Sequence, residues 1–98
     1  MDKECFSHLT EREQLGAIAA EIARARVWAG KADVSRRDAA VRRALDLLEL
    51  ILAGSPSLVS RDDLETWKAR LQAVEADEGL LVDVEARLVK ILTAHHSG

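Results

Sequence analysis

The sequence predicts an all-α fold, a small antiparallel four-helix bundle, and three observations support this. Alanine, leucine, valine, glutamate and arginine dominate the 98 residues, a mixture that favours helix. The chain contains one proline, so long segments run uninterrupted. Apolar residues recur at spacings of three and four, as on one face of a helix. A chain this short supports one core, so we expect a single helical-bundle domain over 1–98, with an N-terminal arm at 1–9 and a frayed tail at 96–98.

The first helix is predicted over residues 11–29. Thr10 and Glu13 have the spacing of a capping box, in which the Thr10 hydroxyl accepts a hydrogen bond from the Glu13 amide and the Glu13 carboxylate accepts one from the Thr10 amide. Gly30 is the expected stop signal. Between these ends, the apolar residues at helical spacing are Leu15, Ile18, Ile22, Ala25 and Ala29.

The second helix is predicted to begin after Ser35, which would serve as its N-cap, and to end at the Gly-Ser-Pro-Ser segment 54–57. Its apolar arc is broad, which favours contact with two neighbouring helices. The arc consists of Val41, Ala44, Leu45, Leu48, Ile51 and Leu52, with Leu47 at its edge.

The third helix is predicted to begin after the N-cap Ser60, with Val59 and Leu64 forming a hydrophobic staple around the cap. The boundary of the last helix is set by Gly79, because the apolar face changes direction after this residue. This change favours a fourth helix. The alternative is a three-helix fold in which the last helix is long and kinked near Gly79.

The predicted core takes its residues from all four helices. Its members are Leu15, Ile18, Ile22, Leu45, Leu48, Ile51, Leu64, Trp67, Leu71, Leu81, Leu88 and Leu92. Other apolar residues lie off these stripes, and together they predict a surface for a partner helix or a second copy of the chain. The predicted partner-binding residues are Trp28, Leu50, Val82 and Val89, with Trp28 as the energetic centre.

The charge is unevenly distributed although the net charge is only −3. Residues 24–43 carry seven basic and two acidic groups, a net +5, and the segments on either side are acidic. The arginines of this basic patch are Arg24, Arg26, Arg36, Arg37, Arg42 and Arg43. A basic patch can bind nucleic acid, but here no aromatic residue interleaves the arginines for base stacking. A solvated face that pairs with nearby carboxylates is the alternative interpretation, and the one we favour.

The motifs of catalysis and cofactor binding are missing from the sequence. The five glycines are isolated, no phosphate-binding loop occurs, and the carboxylates are expected on solvent-facing helix positions. We therefore expect no enzymatic activity, no catalytic residue and no cofactor. Cys5 and His8 have a spacing that suits two metal ligands, and His95 or His96 would lie at the same end of a bundle. Adjacent histidines point about 100° apart on a helix, and we expect no metal.

The cellular location is expected to be cytoplasmic. The lone cysteine excludes an internal disulfide, which suits a reducing compartment. The N-terminal residues include charges of both signs rather than the apolar region of a signal peptide. No apolar run approaches the ~18 residues that a membrane span requires, so we expect no membrane partner.

Residues 16–52 resemble the first helical hairpin of bacterial flagellin export chaperones. The features that carry the resemblance are a helix opening with Gly16-Ala17-Ile18, a glycine-containing turn at 30–33, and the run from Ala44 to Leu50 with leucines around Glu49. This resemblance implies an antiparallel bundle that wraps a helical export substrate. The match covers about a third of the chain, and no binding residue is carried over from it.

The expected function is therefore that of a non-catalytic helical protein-interaction module: an adaptor, a chaperone-like protein or a regulatory subunit. Such a module would bind a partner helix or self-associate. The alternative is a small nucleic-acid-associated regulatory bundle that uses the basic patch between Arg24 and Arg43.

Overall fold

The computed structural model describes residues 9–54, 58–74, 77 and 79–94, and these form an all-α, four-helix bundle. The helices are α1 (Glu11–Gly30), α2 (Val34–Ala53), α3 (Arg61–Gln72) and α4 (Gly79–Ala94). The predicted fold class is confirmed. Because α3 ends at Gln72 and α4 begins at Gly79, the three-helix alternative is wrong. The predicted N-terminal arm as far as residue 8 and the tail lie outside the described residues.

The N-caps of α1 and α3 form as the sequence predicts, whereas α1 includes Gly30, the predicted stop signal, and has Lys31 as its C-cap. In α1 the Glu13 amide donates to the Thr10 hydroxyl over 3.1 Å, and the Thr10 amide donates to the Glu13 carboxylate over 2.9 Å. In α3 the Asp63 amide donates to the Ser60 hydroxyl over 3.1 Å. Each contact satisfies a backbone donor that has no partner within its helix.

The cap of α2 differs from the prediction. Asp33, not Ser35, is the N-cap, and its carboxylate accepts a hydrogen bond from the Arg36 amide over 3.1 Å. The chain reverses within the turn 31–33, where Ala32 adopts a left-handed conformation with φ 58°. Because the turn ends at Asp33, α2 begins at Val34 and Ser35 lies inside its first turn.

The four helices pack in a ring in which each contacts its neighbours in the chain, and α1 also packs against α4. The contact between α1 and α2 is the most extensive. Trp28 near the end of α1 contacts Arg36 near the start of α2, and Glu21 contacts Arg43 near the middles of the two helices, so the pair is antiparallel. This arrangement is an up-and-down bundle with its core inside the ring.

The core contains ten of the twelve residues predicted for it. Leu45 and Leu92 are the exceptions, because both are half-buried at the edge of the core. The most completely buried large side chains are Leu15, Ile18, Ile22, Leu48, Leu64, Leu71, Leu81, Leu88, Val74 and Val84. Val59, which precedes α3, is buried as the predicted staple requires. Among the described residues, no helix is both long and apolar enough to cross a membrane.

Candidate protein-binding surface

Helix α1 is apolar on two opposite faces. Leu15, Ile18 and Ile22 face the core. On the opposite side, Gly16, Ala20, Ala23, Val27 and Gly30 follow one another at spacings of four, three, four and three, which place them along one line of the helix. Ala20, Ala23, Val27 and Gly30 are exposed, and Val27 retains 53% of its accessible surface. We call these five residues the outer α1 surface.

A groove between α1 and α2 borders the outer α1 surface. It has a volume of about 460 Å³, and its apolar lining comes from Ala17, Ala20, Leu47 and Leu50. Its charged lining residues are Glu21, Arg24, Arg43 and Asp46. We call this the α1–α2 groove. Its lining alternates between the two helices, so it exists only because they pack side by side.

The centre of the groove is organised by a buried carboxylate. Glu21 is almost fully buried and forms ion pairs with Arg24, one turn along α1, and with Arg43 of α2. The expectation that all carboxylates face solvent is therefore wrong at Glu21. Two half-exposed guanidinium groups bind this one carboxylate, and Asp46 supplies a second acidic group to the lining, so the positive and negative charges of the groove balance.

The predicted partner-binding residues lie on both sides of α1. Leu50 is half-buried in the α1–α2 groove. Val82 and Val89 lie on α4 and retain 48% and 51% of their accessible surface. They stand three and four residues from Glu85, which forms an ion pair with Arg26 of α1. The two valines therefore border α1 on the side opposite Leu50.

Trp28 is half-buried at the end of α1, and its ring contacts two cations of its own hairpin. The Arg36 guanidinium lies 4.6 Å from the ring centroid, and the Lys31 ammonium lies 5.3 Å from it. These are cation–π distances. The ring packs against the first turn of α2 and the cap of α1, so its contacts support the hairpin turn.

The basic patch is largely paired within the chain. In the described part of the structure, Arg24 and Arg43 bind Glu21, Arg26 binds Glu85, Arg36 lies 3.6 Å from Asp33, and Arg37 donates two hydrogen bonds to Asp38 over 3.0 and 2.8 Å. Arg37 is also buried, which the sequence did not predict. Arg42 is exposed on α2.

Two groups away from the groove, the exposed Glu13 and the half-buried Lys68, have shifted pKa values. The hydrogen bond from the Thr10 amide, with a smaller contribution from the Thr10 side chain, holds the pKa of Glu13 below its ordinary 4.5. The hydrogen bond to Glu49 raises the pKa of Lys68 above its ordinary 10.5. Both shifts arise from surface contacts that stabilise the charged form of the group.

The residues considered for a metal site, Cys5, His8, His95 and His96, lie outside the described residues. Within residues 9–54, 58–74, 77 and 79–94, no three histidine, cysteine, aspartate or glutamate side chains cluster as metal ligands would. No protein-family model, curated protein or solved structure matches the chain.

The sequence contained one signal for this surface that the core pattern obscured. Alanine and glycine occur on every side of α1, so the apolar stripe through Leu15, Ile18 and Ile22 has no clearly polar opposite face. A helix with two apolar faces needs a second covering element. The groove itself depends on which residues of α2 lie beside α1, and periodicity does not supply that pairing.

Proposed function

We propose that this chain is a non-catalytic protein-interaction module that binds a helix along the outer α1 surface. The observation that carries the proposal is the exposed apolar face of α1 at the 3–4 spacing that packs against another helix. Exposed apolar surface on a small helical domain is a mark of a binding site. The α1–α2 groove on one side and Val82 and Val89 on the other widen this surface.

The chemistry of the groove favours an apolar contact with a charged rim. Leu47, Leu50 and the alanines provide pockets for apolar side chains, and Glu21 is already neutralised by two arginines. Adaptor, chaperone-like and regulatory proteins all use such surfaces, and the resemblance to flagellin export chaperones favours the same class of function. Nucleic-acid binding is less well supported, since the arginines pair with carboxylates and the Trp28 ring is covered by two cations.

The proposal is tested by site-specific photocrosslinking in native extract. A benzophenone amino acid replaces Ala20 in the outer α1 surface or Ala69 on the exposed face of α3, which serves as the matched control. We expect a discrete protein adduct from position 20 but not from position 69, and we expect Leu50→Asp to weaken it. Equal adducts from both positions, or none from position 20, would rule out this binding surface.

A further inference from the structure

We propose that the outer α1 surface binds a second copy of the same chain, forming a two-fold symmetric dimer in which the two α1 helices lie antiparallel. This inference rests on the proposed function and names its partner. Two independent features of the α1–α2 hairpin carry it: the distribution of charge along the hairpin and the fit of its exposed face to an inverted copy of itself.

The charge of the hairpin changes sign from one end to the other. Because α1 and α2 are antiparallel, residues 24–43 lie together at the turn, and we call them the turn half. Their net charge is +5. The open half, residues 11–23 and 44–53, holds five acids and one base, a net −4. One charged side chain in each half is buried: Arg37 in the turn half and Glu21 in the open half. When these two are left out, the turn half is still positive and the open half is still negative.

This charge distribution is complementary to itself only when inverted. A two-fold interface brings the same surface of both copies together, so the surface must match its own rotated image. An antiparallel pairing of the hairpins places each turn half opposite the open half of the other copy. A parallel pairing would place like charges together, which is unfavourable. The charge distribution therefore selects the antiparallel arrangement.

The side chains of the outer α1 surface fit the same arrangement. In an antiparallel pair of helices with this 3–4 spacing, Val27 of one copy meets Gly16 of the other, and Ala20 meets Ala23. Val27 projects from the surface, whereas a Cβ atom built at Gly16 would meet nothing within 4 Å. A protruding valine thus faces a gap that none of the described residues of its own chain fills, and alanines at the centre allow a close approach of the two helices.

The helices on either side of α1, which are α2 and α4, also meet their counterparts in this dimer. A two-fold axis lying in the interface across α1 keeps α2 of both copies on the same side, so α2 faces its inverted counterpart. Arg36, near the start of α2, then lies level with Glu49 of the other copy and about 4.5 Å along the helix from its Asp46, since α2 rises about 1.5 Å per residue. Glu49 is bound to Lys68 of its own chain, so Asp46 is the carboxylate that the long Arg36 side chain is expected to meet. Val82 and Val89 border α1 on the other side, where α4 would face its own counterpart.

The available surface is large enough for a specific dimer. A standard interface buries about 800 Å² per partner. That area is about 13% of the accessible surface of 5970 Å², less than one of the four sides of the bundle would provide. A weaker dimer would use only α1 and the groove.

The first test measures self-association by sedimentation velocity over a range of concentrations, with charge-reversal variants. Arg36→Glu and Asp46→Lys each place like charges across the interface. Arg36→Glu also removes the contacts of Arg36 with the Trp28 ring and with Asp33, so the unfolding free energy of each variant is measured beside its association. Each single variant should raise the dimer dissociation constant about tenfold, because a substitution acts twice in a two-fold interface.

An equimolar mixture of the two variants is the decisive sample, because the heterodimer regains opposite charges on both sides. We expect dimerisation in the mixture to return to near the wild-type affinity. Arg87→Gln, an exposed charge on α4 away from the hairpin, is the matched control and should leave association unchanged. A mixture that associates no better than either variant alone would overturn the antiparallel arrangement.

Gly16→Leu separates association from folding. Because no atom of residues 9–54, 58–74, 77 and 79–94 lies within 4 Å of a Cβ built at Gly16, leucine should be tolerated by the monomer and should raise its thermal midpoint through helix propensity. It should also weaken the dimer at least tenfold by filling the gap that receives Val27 of the other copy. A variant that dimerises as tightly as the wild type would contradict the proposed pairing.

Disulfide trapping tests the register directly in a Cys5→Ser background. Ala20→Cys mixed with Ala23→Cys should form a cross-linked dimer faster than either variant alone, and Ala69→Cys should not cross-link. A monomer at all concentrations, with a different protein captured from position 20, would overturn the dimer while leaving the proposed function standing. A monomer with no adduct from position 20 would overturn both. An oligonucleotide that binds the hairpin more tightly than the second copy would also overturn this inference.

Discussion

Removing the buried carboxylate of Glu21 is expected to cost less stability than removing the two arginines that bind it. Removing the carboxylate and removing its partners break the same two ion pairs, but they leave different groups behind. In Glu21→Leu the orphaned groups are Arg24 and Arg43, whose side chains are 60% and 52% exposed and can turn to water. In the Arg24→Gln/Arg43→Gln variant the orphan is a carboxylate whose side chain is only 7% exposed.

The magnitudes follow from this difference. A buried charge that loses its partners costs about 3–5 kcal/mol of unfolding free energy, so the double arginine variant should lose about that much. Replacing a buried ion-paired group by an apolar side chain of similar size is often near neutral, so Glu21→Leu should lose less than about 1.5 kcal/mol, a usual ceiling for a tolerated hydrophobic swap. The single variant Arg43→Gln keeps Arg24 as a partner and should lose about 1.5–3 kcal/mol, as for a hydrogen bond to a charged group.

Urea unfolding at pH 7, followed by circular dichroism at one fixed protein concentration, measures all three variants. The fixed concentration matters because association stabilises the folded state. The expected order of stability is Glu21→Leu above Arg43→Gln above the double arginine variant. If Glu21→Leu loses as much as the double arginine variant, then the carboxylate contributes favourable energy in its own right, and the reasoning from desolvation is refuted.

Three further predictions concern the fold. Leu48→Ala should lower the free energy of unfolding by about 2–5 kcal/mol and Leu45→Ala by less, because Leu48 is fully buried and Leu45 half-buried. If chemical denaturation shows that Leu48→Ala loses less than about 0.5 kcal/mol, Leu48 does not belong to the core. Asp33→Ala should lower the free energy of unfolding by about 1 kcal/mol because it removes an N-cap, whereas Ser35→Ala should lower it by less than about 0.5 kcal/mol. Equal losses of stability in thermal unfolding would contradict Asp33 as the N-cap. Since the folded-state pKa of Glu13 is lowered, its contribution to stability is present above pH 4.5 and is lost as the pH falls through the folded-state value. The difference in thermal midpoint between wild type and Glu13→Ala should therefore shrink in acid, and a difference that does not change with pH would argue against the capping box.

The sequence predicts the start of a helix well where a single short-range hydrogen bond at the N-cap determines it. The capping box of Thr10 and Glu13 and the cap at Ser60 are short-range contacts, so their sequence spacing is sufficient. The start of α2 was misplaced because Asp33 and Ser35 are both good N-caps. The conformation of the turn, with Ala32 in the left-handed region, decides between them, and the sequence has no glycine there to indicate it.

The candidate surface was only partly predictable because it depends on the pairing of helices. Leu50, Val82 and Val89 were identified as surplus to the core, but periodicity does not reveal that they lie on opposite sides of α1. Glu21 was assigned to solvent because carboxylates are rarely buried unless paired. Its partner Arg43 is 22 residues away, and only the packing of α1 on α2 brings the two together.

The closure of the ring between α1 and α4 has a consequence for the folding pathway. The α1–α2 hairpin forms from residues close in the chain, whereas the Arg26–Glu85 contact spans 59 residues. The entropy lost on closing such a long loop must be recovered from contacts that form only when the loop has closed. We expect the hairpin to assemble early and the seam between α1 and α4 to close last. Once closed, however, this seam is more extensive than the contacts that α3 makes with α2 and with α4. Local opening is therefore expected at α3, because its contacts with its two neighbours are the smallest in the ring.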